Sequence, residues 1–221
     1  MQSLNYRSGD KYLDSVKGRS TQPVYILDST GRVYNASTHD LPSARSQGEP
    51  LTGRLKPPAG SLFTHVFAGK PDDWYLLASD SGYGFRVQLK DLQSKNKAGK
   101  AGITLPAGAK VLAPTPINND SDVVAVVTLQ GRLLLFPVQE LPALSKGKGN
   151  KLIQIKPADY SSGNDAVVSV CVIAEDGTLK ILSGKRHLTL KGTDIEAYLA
   201  TRAKRGSALP RGFQRVDGLE S

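Results

Sequence analysis

The sequence predicts an all-β protein, a propeller-like radial stack of four-stranded antiparallel sheets. Four segments share one hairpin form, they recur at a nearly constant interval, and each is followed by a matching loop and further short strands. Four short strands in roughly fifty residues, repeated along a chain, are typical of radial β architectures. A β-sandwich is the alternative, because sandwiches also place turns at regular spacing. Because the loops match as well as the strands, the radial stack is favoured.

Each predicted hairpin is an apolar, β-branched run, a tight polar turn ending in glycine, and a second apolar run. Glycine supplies the positive φ that such turns demand. The four segments are VYILDSTGRVYN, WYLLASDSGYGFRV, VVAVVTLQGRLLLFP and VVSVCVIAEDGTLKIL, with turn glycines Gly31, Gly82, Gly131 and Gly177. These glycines lie 51, 49 and 46 residues apart.

The repeat continues beyond each hairpin. A basic loop is followed by a third strand, predicted at LTGRL, GITL, KLIQI and GFQRV, and then in three units by a proline-bearing turn and a fourth apolar run. The segment LNYRSGDKYLDSV matches the third and fourth strands of a unit whose hairpin is missing. We therefore expect residues 1–221 to form a single domain of about four complete blades plus a leftover strand at the N-terminus.

The charge balance favours polyanionic partners. The chain has 29 Lys and Arg against 20 Asp and Glu, a net charge of +9 and a pI near 9.6. Such a balance favours nucleic acid first and an anionic membrane surface second. The N-terminus has no apolar signal region, and no stretch approaches 18 apolar residues, so we expect a cytoplasmic protein without a membrane segment.

The sequence predicts no catalytic residue, no metal site and no cofactor for this chain. Nucleotide-binding and hydrolase patterns are absent, and the GKG of the third loop fails the dinucleotide pattern because Leu152 stands where a third glycine is needed. Three scattered histidines and one cysteine do not make a zinc site. Cys171 lies in an apolar run and is predicted to be a buried core thiol. Asp28, Asp80 and Asp176 fall in turns, where aspartate stabilises the bend.

Four basic, glycine-bearing loops fall at the same phase of each repeat. We name them loop 1 (residues 43–54), loop 2 (94–102), loop 3 (145–151) and loop 4 (202–212). Any one of them could be a solvated connection, but a radial stack would place all four around one rim. The predicted DNA-binding cations are Arg45, Arg54, Lys95, Lys97, Lys100, Lys146, Lys148, Lys151, Arg202, Lys204, Arg205 and Arg211. The predicted loop glycines are Gly48, Gly99, Gly147, Gly149 and Gly206, which would let backbone N–H groups approach phosphates.

Such a rim suits duplex DNA. A row of Lys and Arg gains affinity by releasing the counterions of the phosphate backbone. No recognition helix is predicted, so sequence readout is not expected. Two rival classes stay open at this point. One is a protein-interaction platform with an acidic partner on the same rim, and the other is a hydrolase in a propeller channel, which would need clustered carboxylates or histidines at strand ends.

The hairpin repeat and basic loops resemble the β-pinwheel C-terminal domains of type IIA topoisomerase A subunits, most of all those of bacterial topoisomerase IV. The resemblance covers essentially the whole chain, and its most specific stretches are QPVYILDSTGRVY, LPSARSQGEPLTG, ASDSGYGF, FPVQELPALSKGKGNK and RGFQRVD. The gyrase members carry a box, QRRGGKG, that supports tight DNA wrapping. No loop here contains it, and SKGKGNK is the nearest, which argues against gyrase-type wrapping.

The resemblance implies a non-catalytic domain that binds and bends duplex DNA for decatenation and relaxation. It implies that the partners are DNA, the N-terminal breakage-reunion region of the same polypeptide and a separate ATPase subunit, in a bacterial cytoplasm at the nucleoid. ATP and magnesium would serve only the parent enzyme. We expect the isolated domain to be a monomer. Members of the family usually have one more repeat ahead of this chain's first residue, so its ring can be open or incomplete.

Overall fold

The computed structural model describes residues 8–9, 11–43, 46 and 48–221, and its regular elements are almost all strands. The strands are β1 (Pro23–Asp28), β2 (Arg32–Ser37), β3 (Phe63–Ala68), β4 (Trp74–Ala78), β5 (Tyr83–Gln88), β6 (Lys100–Ala101), β7 (Thr115–Ile117), β8 (Val123–Thr128), β9 (Arg132–Pro137), β10 (Asn150–Lys151), β11 (Val167–Ile173), β12 (Thr178–Ser183), β13 (Arg186–Lys191), β14 (Ser207–Ala208) and β15 (Gly218–Glu220). The helices are α1 (Leu89–Leu92), α2 (Pro157–Ser161) and α3 (Thr193–Glu196), with 3-10 turns at Thr38–Asp40, Leu51–Gly53 and Val138–Glu140. No helix in this part of the chain is long and apolar enough to cross a bilayer.

The strands form four separate antiparallel sheets, which we call blades. Blade 1 has the strand order β3-β1-β2-β6, blade 2 the order β10-β5-β4-β7, blade 3 the order β11-β8-β9-β14, and blade 4 the order β13-β12-β15. Four small sheets, rather than two large ones, rule out the sandwich. The predicted all-β, propeller-like architecture is confirmed.

Every blade is built on one plan, and part of each of the first three comes from the next repeat. A hairpin lies at the centre, and a later strand of the same repeat (β3, β7, β11 or β15) pairs with its first strand. A two-residue strand from the following repeat (β6, β10 or β14) pairs with the second strand of the hairpin, and we call it the exchanged strand. Blade 4 has no exchanged strand among the described residues, so there are three complete blades and a three-stranded fourth rather than four complete ones.

The hairpin predicted around Gly177 is wrong. The run VVSVCVI is β11, and it pairs with β8 of blade 3, with Cys171 opposite Ala125. The fourth hairpin is β12–β13, which turns at Gly184 with a φ of 58°. Gly177 instead lies in the connection between two sheets and, unlike Gly31, Gly82 and Gly131, has no positive φ. With Gly184 as the anchor, the turn glycines lie 51, 49 and 53 residues apart.

The short strands predicted outside the hairpins also differ. GITL (102–105) contains no strand, because β6 ends at Ala101 and Ile103 forms only an isolated bridge with Gly147, and of KLIQI only Lys151 lies in a strand. LTGRL forms the 3-10 turn Leu51–Gly53, and residues 212–216 (GFQRV) contain no strand, because β14 lies earlier in the repeat. Part of the predicted N-terminal strand falls outside the described residues. Residues 11–22 form no strand, but they run beside β3, where the Asp14 carboxylate accepts the Val66 N–H at 3.0 Å.

The blades pack face to face, and successive residues of one strand serve opposite neighbours. On β4, Tyr75 and Leu77 belong to the core shared with blade 1, whereas Leu76 and Ala78 belong to the core shared with blade 3. Strand β8 does the same between blades 2 and 4. Side chains of a strand alternate between the two faces of the sheet, so a sheet buried on both faces needs a continuous apolar run. This explains why WYLLA and VVAVV show no polar alternation.

We predict that Cys171 has a structural role only. It is buried in the core between blades 3 and 4, and burial raises the pKa of its thiol to about 12. Cys171→Ala should lower the free energy of unfolding by about 1 kcal/mol through lost packing. The native thiol should react slowly with Ellman's reagent at about pH 8, since the thiolate is the reactive form, and rapidly in denaturant. Native reactivity close to that of free cysteine would contradict burial.

Candidate nucleic-acid interface

The four basic loops occupy equivalent places in the blades. Each follows the second strand of a hairpin or its short helical turn, and loops 2, 3 and 4 contain the exchanged strands β6, β10 and β14. The exchanged strand pairs with the blade before it, so each of these three loops lies across the boundary between two blades. Arg45 of loop 1 lies outside the described residues.

Consecutive loops are joined by one repeated hydrogen bond. The backbone N–H just beyond a loop donates to a carbonyl of the next loop: Lys56 to Lys97 at 2.8 Å, Thr104 to Gly147 at 2.9 Å, and Gln154 to Lys204 at 2.9 Å. Loops 1 and 2 also face each other across a cleft of about 980 Å³, lined in part by Arg54, Lys95 and Lys97. These hydrogen bonds join the four loops in series from blade to blade, and we call this series of loops the basic track.

Most of the predicted cations are exposed on this track. The exposed members are Lys95, Lys97, Lys146, Lys148, Lys204, Arg205 and Arg211. They come from loops 2, 3 and 4, so every junction of the track carries at least one exposed cation. This arrangement can hold a row of phosphates.

The remaining predicted cations have partners inside the protein. Arg54 forms an ion pair with Glu49, and the Lys100 ammonium donates to the Asp91 carbonyl at 2.7 Å. Lys151 is half-buried beside the Tyr83 ring, which Lys148 also covers, with its ammonium 4.3 Å from the ring centroid. Arg202 is half-buried and bound to two backbone carbonyls. In the described part of loop 1, Glu49 thus offsets the charge of Arg54, as its presence in the sequence of this loop predicts.

The fold itself requires glycine at three of the five predicted loop positions. Gly99, Gly149 and Gly206 precede the exchanged strands with φ of 67°, 76° and 74°. A Cβ on them would lie 2.8 Å, 2.1 Å and 2.7 Å from carbonyl oxygens of β2, β5 and β9. Glycine here lets one blade close on the next. At Gly48 and Gly147, by contrast, a Cβ would meet nothing closer than 3.9 Å, although the Gly147 N–H already donates to Gly102.

Sequence reasoning missed several basic residues around the track. Lys56 is exposed beside loop 2. Arg32 holds loop 2 in place, because its guanidinium donates to the carbonyls of Ala98 at 2.9 Å and Gly99 at 3.1 Å. Outside the loops, Arg132, Arg186 and Arg215 line a second cleft, of about 950 Å³. A signal for Arg32 was present, since a cation directly follows the turn glycine in two of the predicted hairpins.

The described residues place Asp28 and Asp80, two of the predicted turn aspartates, in structural contacts. No group of three or more His, Cys, Asp or Glu side chains among them could hold a metal ion. Asp28 accepts the N–H groups of Thr30 and Arg32 and the Tyr34 hydroxyl, so it holds a turn as predicted. Asp80 accepts the Tyr160 hydroxyl at 2.8 Å, and burial together with this contact raises the pKa of Tyr160 to about 12.

Residues 73–118 and 122–173 match the family model described as the DNA gyrase C-terminal domain, a β-propeller. The chain is 50% identical over 217 residues to the A subunit of DNA topoisomerase 4 from Pseudomonas aeruginosa, and 46% identical over 217 residues to that from Escherichia coli. Each alignment covers 98% of this chain and 29% of the relative. The chain therefore spans less than a third of the length of these relatives.

Solved structures agree with the sequence relatives. The C-terminal domain of E. coli ParC superimposes with a TM-score of 0.88 at 46% identity, covering 98% of this chain and 88% of that one. The C-terminal domain of DNA gyrase A gives a TM-score of 0.72 at 17% identity, covering 98% and 71%, which is a likeness of fold alone.

Proposed function

This chain belongs to the family of β-pinwheel C-terminal domains of DNA topoisomerase IV A subunits, and from that premise we propose that it binds and bends duplex DNA without sequence specificity. The observation that carries the proposal is the basic track. Its exposed lysines and arginines lie on loops that are hydrogen-bonded in series along stacked blades. A duplex laid along such a track would follow its curvature.

The physical basis is counterion release. Each phosphate neutralised by a lysine or arginine frees condensed cations, which favours binding wherever the salt concentration is low. Bending a stiff duplex at a site of this size costs on the order of 1–6 kcal/mol, offset by the added contacts along the curve. The described helices are only four or five residues long, too short to act as recognition helices in a groove. We therefore expect the backbone, not the bases, to be read.

In the complete polypeptide, the domain would present a DNA segment to a separate breakage-reunion region, while an ATPase subunit drives strand passage. ATP and magnesium would act there and not on this chain. The substrates would be linked or supercoiled chromosomal DNA, at the bacterial nucleoid. Without the gyrase box in any loop, we propose bending rather than tight wrapping.

The experiment is a binding curve on linear and supercoiled duplexes across a range of salt concentrations, with the bend followed by end-to-end fluorescence transfer. We expect log K to fall linearly with log salt, equal affinity for unrelated sequences, and shorter end-to-end distances on binding. If duplex DNA did not bind, or bound independently of salt, and an acidic polypeptide bound tightly, an acidic protein partner would be favoured instead.

We further expect the isolated chain neither to cleave nor to relax DNA, with or without ATP and magnesium. The reason is that the sequence contains neither a nucleotide-binding loop nor a tyrosine directly after an arginine, the setting of the DNA-cleaving tyrosine in type II topoisomerases. A supercoiled plasmid incubated with the chain should keep its topology on a gel. Relaxation that scales with the concentration of the purified chain would refute this expectation.

A further inference from the structure

Arg202 is one of the predicted DNA-binding cations of loop 4, but its contacts within the protein indicate a structural role instead of phosphate binding. We propose that Arg202 and Glu140 form a positioning pair that fixes loop 4 against loop 3 and so sets the curvature of the basic track. The proposal rests on the proposed DNA-bending function. It assigns Arg202 an effect on the path of DNA without a contact to phosphate.

Arg202 donates three hydrogen bonds to other parts of the chain. Its Nε donates to the Glu140 carbonyl at 3.0 Å, and one terminal nitrogen donates to the Lys151 carbonyl of loop 3. The Arg202 backbone N–H donates to the Glu140 carboxylate at 2.8 Å. One residue therefore ties loop 4 both to loop 3 and to the 3-10 turn that precedes it.

The anchor for this tie is rigid. Glu140 ends the turn Val138–Glu140, whose first residue, Val138, is fully buried and donates its N–H to Asp122 at 2.9 Å. A turn fixed in the core of blades 2 and 3 gives Arg202 a fixed reference point. The position of loop 4 is then determined by its contacts with this core-anchored turn and not by its own sequence alone.

The backbone beside Arg202 is held in an unusual conformation. Ala203 has a φ of 68°, and among the described residues it is the only non-glycine with a positive φ. Its N–H donates to Leu152 at 2.9 Å, and the next carbonyl, of Lys204, accepts from Gln154 at 2.9 Å. A side chain disfavours this conformation, so it persists only where the surroundings fix it. The exposed cations Lys204 and Arg205 follow this fixed segment directly in the sequence.

Guanidinium geometry makes the pair testable without a change of charge. Arginine presents several donors in a planar fork, whereas lysine is a point charge on a flexible stem. Arg202→Lys therefore keeps the charge and loses the double tie. Arg19→Lys, the same substitution at an exposed arginine outside the four loops, is the matched control. Glu140→Ala removes the carboxylate partner while raising the net charge by one.

The variants are compared with the unaltered chain by salt dependence of binding, by fluorescence transfer between the ends of a bound duplex, and by thermal unfolding. Arg202→Lys should keep the salt slope to within about 0.5, because no phosphate contact is lost. Arg202→Lys should also reduce, roughly two-fold, the change in fluorescence transfer that bending produces on binding, because the duplex no longer follows a fixed track. Arg19→Lys should change neither quantity. Glu140→Ala should bind at least as tightly, since charge favours it, and yet bend less.

The outcomes separate this proposal from the function on which it rests. If the unaltered chain does not bend DNA, the proposed function fails. If it does bend DNA and both Arg202→Lys and Glu140→Ala bend equally well, the positioning pair is wrong. If Arg202→Ala flattens the salt slope by about 1 and lysine restores it, Arg202 contacts a phosphate directly. Should Arg202→Lys fail to fold, Ala203→Gly replaces it, because glycine accepts the positive φ and loosens the same segment.

Discussion

Replacing Lys146, Lys148 and Lys151 with alanine is expected to weaken binding to all DNA sequences alike and to flatten its salt dependence. The slope of log K against log salt should fall by roughly two to three if all three lysines reach phosphates, at about 0.9 per contact. Lys148 already lies over the Tyr83 ring, and Lys151 is half-buried, so loop 3 holds its charges in place before DNA arrives. The measurement is the binding curve at several salt concentrations.

The control removes three charges outside the loops, at Lys11, Lys90 and Lys180. Lys90 and Lys180 form exposed ion pairs with Asp72 and Glu220, which contribute little to stability. Both sets change the net charge equally, so a long-range field alone would make them lose equal affinity. If the loops instead bind DNA locally, the loop 3 variant should lose much more DNA affinity than the control variant. Equal losses at salt that screens distant charges would mean that loop 3 is only a solvated connector.

Gly149→Ala is expected to lower the free energy of unfolding by more than about 2 kcal/mol. A Cβ at this position would lie 2.1 Å from the Gly84 oxygen, and this neighbour is backbone in the middle of blade 2. The side chain would force the exchanged strand β10 away from β5 and loosen the contact between blades 2 and 3. Urea or thermal unfolding followed by circular dichroism measures the effect.

Gly60→Ala separates the steric overlap from the backbone conformation. Gly60 has a φ of 77°, almost equal to the 76° of Gly149, and a Cβ there would meet nothing within 4 Å. Its substitution should cost only the conformational part, about 1–2 kcal/mol. Similar destabilisation by both substitutions would show that close approach of the exchanged strand does not constrain Gly149.

The hairpins could be predicted because their signals are local. A turn glycine between two apolar runs specifies β1–β2, β4–β5 and β8–β9 without reference to the rest of the chain. The same signal misled at Gly177, where two apolar runs flank a polar turn but belong to different sheets. Strand β11 is matched to β8, more than forty residues earlier, and nothing in its own sequence specifies that partner.

The exchanged strands were beyond sequence reasoning for a related reason. Each has two residues, too few for any periodicity, and its pairing depends on the neighbouring repeat. The glycines before them were singled out for their approach to phosphates, which stays a prediction, and the structure adds a requirement of the fold that the sequence did not show. Gly149 looks like a phosphate-binding glycine in the sequence, and only the proximity of the Gly84 carbonyl shows that the fold requires it.

For the candidate site, the place of each basic loop within its repeat could be predicted, whereas the exposure and the partners of each side chain could not. Counting cations predicted charge in loops 2, 3 and 4, where the structure places exposed lysines and arginines, and their contact with DNA stays a prediction. Counting could not separate the exposed Arg205 from Arg202, because both are arginines of the same loop. The difference comes from the Glu140 and Lys151 carbonyls, which the fold brings to Arg202 from elsewhere in the chain.

The exchanged strands also bear on how the protein is made. A ribosome delivers residues in order, so the hairpin of blade 1, complete at Ser37, must wait until Lys100 and Ala101 have emerged before its outer edge is sealed. Blade 2 waits in the same way for Asn150, and blade 3 for Ser207. Throughout synthesis the newest blade has an open strand edge, the kind of edge on which strands of other chains can add. We therefore expect the nascent domain to be most prone to aggregation just behind the growing end, and slowing translation within a repeat should prolong that exposure.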